Sequence, residues 1–136
     1  MLKRSSIIGD ENVEPKLIEI EGEAIACTRV GSDFYFGDQE GKLFKWSLKE
    51  TDISKREEIY DFGAPISDIC LNESKDSIFI LPKTGAPGVL HVSTGKIEQD
   101  QFKGVEIEGA VSSSWSSDSN KIAVFTEDGK CIIFSD

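Results

Sequence analysis

Short apolar runs parted by polar, glycine-bearing turns set the rhythm of this chain. From Lys16 onward they read KLIEIEG, AIACTRV, DFYFGD, KLFKWSL and ISKREEIYDF, then ISDICLN, SIFILPK, GVLHVS and the weaker KIEQDQFKGVEIEG, and finally VSSSWSS, KIAVFTE and CIIFSD. Runs of this length, rich in β-branched and aromatic residues and bounded by Gly, Asp, Asn and Ser, are the pattern of β-strands. No window carries apolar residues at i, i+3, i+4 and i+7 through three turns, and ISKREEIYDF, the nearest to it, is short with β-branched or aromatic ends. The pattern predicts about twelve strands and no helix.

The clearest pair is the last. Ile122–Phe125 and Cys131–Phe134 flank Glu127, Asp128, Gly129 and Lys130. An Asp-Gly step between such runs predicts a β-hairpin, because glycine tolerates the positive φ of a tight turn. Both runs are apolar at consecutive positions, which predicts strands covered on both faces, as inside a stack of sheets.

Laid over one another, AIACTRVGSDFYFGDQEGKLFKWS, PISDICLNESKDSIFILPKTGAPGVLHVS and AVSSSWSSDSNKIAVFTEDGKCIIFS share one order: apolar run, polar turn, apolar run, glycine-bearing turn, apolar run ending in Ser. The copies start at Ala24, Ile66 and Val111, offsets of 42 and 45 residues. Periods of this size belong to units that are small sheets and bury both faces only by stacking on neighbours. The expected fold is all-β: about three propeller-type, four-stranded antiparallel blades over residues 16–136, preceded by an N-terminal tail over 1–15. Three blades make a partial propeller or half of a six-bladed ring, since rings close with about four to eight.

These units resemble the WD-repeat β-propeller family. In that family a unit ends in Asp-Gly, an apolar strand and Trp-Asp; Asp128, Gly129 and Phe134 take those places in the third copy, and Gly41 and Trp46 in the first. The closing pair reads Trp46-Ser47, Val92-Ser93 and Phe134-Ser135, and the family's Gly-His step before the innermost strand is absent from every copy. The resemblance implies a non-enzymatic scaffold that binds other proteins through loops at the channel ends and through blade edges.

Charge narrows the partners. Lys and Arg number 15 against 25 Asp and Glu, a net charge of −10, which repels nucleic acid and anionic lipid and favours proteins with basic segments. Cys27, Cys70 and Cys131 lie far apart inside strand-like runs, which predicts buried, reduced thiols and a cytoplasmic or nuclear protein. With one histidine, His91, and no CxxC pair, no metal or cofactor site is expected. The N-terminal apolar step is too short for a signal peptide, and no run approaches the roughly 18 residues that span a bilayer.

Candidate chemistry is sparse. His91, flanked by apolar residues in VLHV, reads as a packed histidine bonded to backbone. Ser112, Ser113 and Ser114 lack a GxSxG context and read as small residues of an innermost strand. Asp33, Asp38 and Glu40 beside Gly41 miss the spacing of a calcium loop and read as turn formers. Partner contact is assigned to two acidic groups, Glu19, Glu21 and Glu23 alternating along one strand and Glu57, Glu58 and Asp61 on another edge, and to Lys83 and Thr84 in a projecting KTGAPG loop. No catalytic residue is assigned. A channel enzyme and a ligand-free structural repeat are the rival readings, and a homodimer or further blades would complete the ring.

Overall fold

The computed structural model describes residues 24–135 other than 51, 53 and 54. The tail over 1–15, the strand expected at Lys16–Gly22, and Glu19, Glu21 and Glu23 lie outside the described residues. Within them the chain forms eleven strands: β1 (Ala24–Val30), β2 (Asp33–Asp38), β3 (Lys42–Ser47), β4 (Glu57–Asp61), β5 (Ile66–Asn72), β6 (Ser77–Pro82), β7 (Gly88–His91), β8 (Lys96–Glu98), β9 (Ala110–Trp115), β10 (Lys121–Thr126) and β11 (Cys131–Ser135). The described residues form no α-helix but short 3-10 turns, among them Glu73–Lys75 and Asp100–Phe102, and none of their helices is long and apolar enough to cross a membrane.

Local chemistry makes the hairpins. Between β2 and β3 the Asp38 carboxylate accepts the backbone N–H groups of Glu40 and Lys42, both at 2.9 Å, a side-chain mimic of a turn. Gly41 follows with φ +98, and a Cβ there would stand 2.5 Å from the Ala64 carbonyl oxygen. Only glycine fits. Between β10 and β11 the Thr126 hydroxyl donates to Asp128 and Gly129 takes φ +86, so the predicted Asp-Gly hairpin is present.

The strands form antiparallel sheets in the orders β1-β2-β3-β4, β5-β6-β7-β8 and β9-β10-β11, each starting from its own first strand. The first two sheets thus have four strands and the third has three among the described residues. β1, β5 and β9 lie side by side as the innermost strands. Each carries an irregularity at the same place, one residue after its start: the register skips between Ala24 and Ala26, between Ile66 and Asp68, and between Ala110 and Ser112. The structural copies therefore begin at Ala24, Ile66 and Ala110, one residue earlier in the third copy than the sequence pattern places it. The middle copy also differs. Trp46 and Phe134 pair with Phe34 and Ile122, and the position equivalent to them is Leu90 opposite Ile78, so the closing pair there is Leu90-His91 and not Val92-Ser93. The KTGAPG turn displaced the sequence alignment.

Strand pleating gives each sheet a leading face, toward the preceding sheet, and a trailing face, toward the next. Tyr35 and Leu43 on the trailing face of the first sheet pack against Ile69, Ile78, Ile80 and Leu90 on the leading face of the second. Phe79, Leu81 and Val89 on the trailing face of the second pack against Ile122 and Val124 of the third. Each fully buried Leu, Ile or Phe side chain stabilises by ~1.5–3 kcal/mol. A segment outside the strands joins the second junction: Phe102 is 4% exposed and meets Phe79 and Phe134 edge to face, at 5.7 and 5.0 Å between ring centroids.

The thiols depart from expectation. Cys27 and Cys131 are exposed and Cys70 is half-buried, all three free. Cys27 shares the leading face of the first sheet with Phe36, and Cys131 shares the trailing face of the third with Phe125. These are the two end faces of the stack. β10 and β11 are accordingly covered on one face, not two, and Phe125 and Ile133 stand open on the other.

Candidate functional site

A concavity of about 190 Å³ lies where the second and third sheets meet. Its floor is apolar, made by Val89, Phe102, Trp115, Ile122 and Phe134. Trp115 is fixed there by an Nε1–H bond to the Cys70 carbonyl at 3.1 Å and by an edge-on contact with Phe79. Burial pushes the Cys70 thiol above its ordinary pKa. The rim is polar, with Lys75, His91, Glu98 and Asn120. Here His91 is neither packed nor bonded to backbone through its ring: Nε2 lies 2.9 Å from the Glu98 carboxylate and the pair is well exposed. VLHV ends a strand at His91, so Val89 and Leu90 before it are buried and it is not. An apolar floor under a rim of both signs suits one hydrophobic side chain flanked by polar groups, and the volume lies below the ~300–1,000 Å³ of small-molecule pockets.

Beside the cavity the innermost strands are tied by a contact the sequence reading missed. Asp68 Oδ2 accepts from the backbone N–H of Ser113 at 2.7 Å and from its hydroxyl at 3.0 Å, and Asp68 Oδ1 accepts from the N–H of Ile69 at 2.9 Å. The available signal was an acid inside the apolar run PISDIC. Ser113 thus serves as a structural donor in the innermost strand, consistent with the small-residue reading of the serine tract.

The predicted contact residues are not gathered. Glu57, Glu58 and Asp61 lie on β4 at the outer edge of the first sheet. Glu57 stands opposite Lys45 and Glu58 opposite Phe44, which puts them on opposite faces. Glu58 approaches Lys42 at 3.8 Å while Glu40 approaches it at 3.5 Å, and these carboxylates hold the Lys42 pKa above its ordinary value. Asp61 accepts the N–H of Gly63 at 2.9 Å. Lys83 and Thr84 are exposed, but their loop is tied down and does not project. Lys83 N–H donates to Pro65, its carbonyl accepts from Ala110, Thr84 bridges Glu108, and the ammonium lies 3.2 Å from Glu127.

No protein-family model matches the chain, and no curated protein sequence matches it. Solved structures do. The chain is similar to the computationally designed Ika8 protein (13% identity, TM-score 0.64, 85% of this chain and 35% of that one). It is also similar to Kluyveromyces lactis Hsv2p (18%, 0.61, 81% and 36%) and to the N-terminal domain of Nup159 (16%, 0.53, 83% and 27%). At these identities the likeness shows the fold alone: an all-β stack of propeller-type blades. The chain spans between about a quarter and a little over a third of the length of these three.

Proposed function

We propose that this chain is a non-enzymatic interaction platform built from WD-repeat-like blades, acting inside the cell, and that it grips protein partners at the junction of its second and third sheets. The cavity described above carries the reading. It is roomy enough for a single apolar side chain, and Glu98 and the net charge of −10 favour a basic residue beside that anchor. The repeated blade order and the Asp128-Gly129 turn support the WD-repeat assignment. In one solved structure Nup159, a neighbour in fold, is bound to Dbp5.

The test is a selection from a displayed peptide library on the immobilised chain, followed by anisotropy titration of the enriched peptides. Peptides with one large apolar residue next to Lys or Arg are expected. Their affinity should fall at least ~10-fold for Asn120→Trp, which closes the exposed rim, a loss of about 1.4 kcal/mol. Peptides that bind this variant as tightly as the original would refute the site.

A further inference from the structure

The two end faces of the stack carry the halves of a junction that the chain already makes twice. On the trailing face of the second sheet, Leu81 is 0% and Val89 8% exposed, covered by the third sheet. Register places Phe125 and Ile133 at the equivalent positions of the third sheet, and they are 45% and 62% exposed. The leading face of the first sheet is open only in part: Phe36 and Phe44 on it are 4% and 9% exposed, with Arg56 lying over the Phe44 ring. Cys27 is exposed there, whereas Ile69, its equivalent in the second sheet, is 7% exposed. Phe34 and Trp46, stacked at 6.2 Å and half-buried, hold the places of the fully buried Ile78 and Leu90. The Trp46 Nε1–H is shielded from water and has no hydrogen-bond acceptor.

We propose that two copies of this chain associate head to tail, the trailing face of each third sheet seating on the leading face of the other's first sheet. The proposal rests on the reading of the chain as three open blades. Its occupant follows from continuity: trailing face on leading face is the contact made between the first and second sheets and again between the second and third, and one chain carries a further copy of each half, open at Phe125 and Ile133 on the one and at Cys27, beside the half-buried Phe34 and Trp46, on the other. A head-to-tail contact closes into a ring when the rotation allows, and two copies supply six blades, inside the range of closed propellers. Exposed apolar faces of this kind are association surfaces.

Sedimentation velocity of the full chain across the micromolar range tests this. Particles of twice the 15.0 kDa of one chain are expected. Ile133→Glu and Cys27→Glu each place a charge at an exposed position on one half, so both should fold, as far-UV circular dichroism can verify. Each should weaken pairing ~30-fold or more, the scale of a hot-spot residue. Reactivity of Cys27 and Cys131 toward a thiol reagent should fall as concentration rises while that of Cys70 stays constant. A monomer at every concentration, a dimer that survives either substitution, or open polymers would overturn the proposal. A monomer that still selects peptides would sink the pairing and leave the interaction platform standing.

Discussion

Replacing Phe102 by alanine should be among the most damaging single changes in the molecule, although Phe102 lies outside every strand. Its ring is 4% exposed and packs edge to face on Phe79 from the second sheet and Phe134 from the third. Truncating a buried phenylalanine costs ~3–5 kcal/mol, and each aromatic pair lost is worth ~0.5–1.5 kcal/mol of that. Against a total stability of ~5–15 kcal/mol for a domain, this is about a third. In urea, with a slope of ~2 kcal/mol per molar, the midpoint should fall by ~2 M. Leu48, which closes the apolar run KLFKWSL, is the control: it is 49% exposed, so Leu48→Ala should cost ~1 kcal/mol or less. Equal shifts for the two variants, or a Phe102→Ala shift under ~0.5 M, would refute the argument that this segment fills the second junction.

Three further outcomes follow from the geometry. Asp68→Ala leaves the Ser113 N–H without its acceptor and should lose ~1–3 kcal/mol; Asp68→Asn keeps an acceptor oxygen and should lose less, an order that thermal unfolding can check. Gly41→Ala adds a clash with the Ala64 backbone to the strain of positive φ, whereas a Cβ at Gly129 meets nothing within 4 Å. Gly41→Ala should therefore depress the melting temperature well beyond Gly129→Ala, which should cost ~1 kcal/mol. Hydroxyl bonds from Ser116 and Thr126 hold the Asp118 and Asp128 carboxylates below their ordinary pKa. The unfolded chain then takes up protons first, so their contribution is present above the ordinary carboxylate value of ~4 and lost as pH falls through the lowered folded values. Asp128→Asn should flatten the acid limb of the melting temperature against pH, and an unchanged limb would show that this hydrogen bond is not coupled to folding.

Turn chemistry made the architecture legible in the sequence. Gly41 and Asp128-Gly129 mark hairpins wherever they stand, and the three-fold order of runs follows from them. Register was less legible. The middle copy closes on Leu90-His91 because KTGAPG bends back to pair near Ala110 and Glu108, a long-range contact with no local trace. The exposure of Cys27 and Cys131 depends on which sheets stand at the ends, and apolar runs look alike at an end and in the middle. Phe102 lies in a stretch whose composition gives no period. The cavity joins residues from both sheets and the segment between them, so no single stretch announces it.

The innermost strands share their irregularity and each sheet leans on its sequence neighbours, which gives the molecule the thermodynamics of a short zipper. The second sheet meets a neighbouring sheet on both sides, while each end sheet among the described residues meets one on a single side. In such an array stability is a sum of unit and neighbour terms, and the ends fray before the centre opens. Amide exchange should accordingly be slowest along Ile78–Leu81 and quicken outward in both directions. Opening the second sheet would then break two couplings, and opening the third only one.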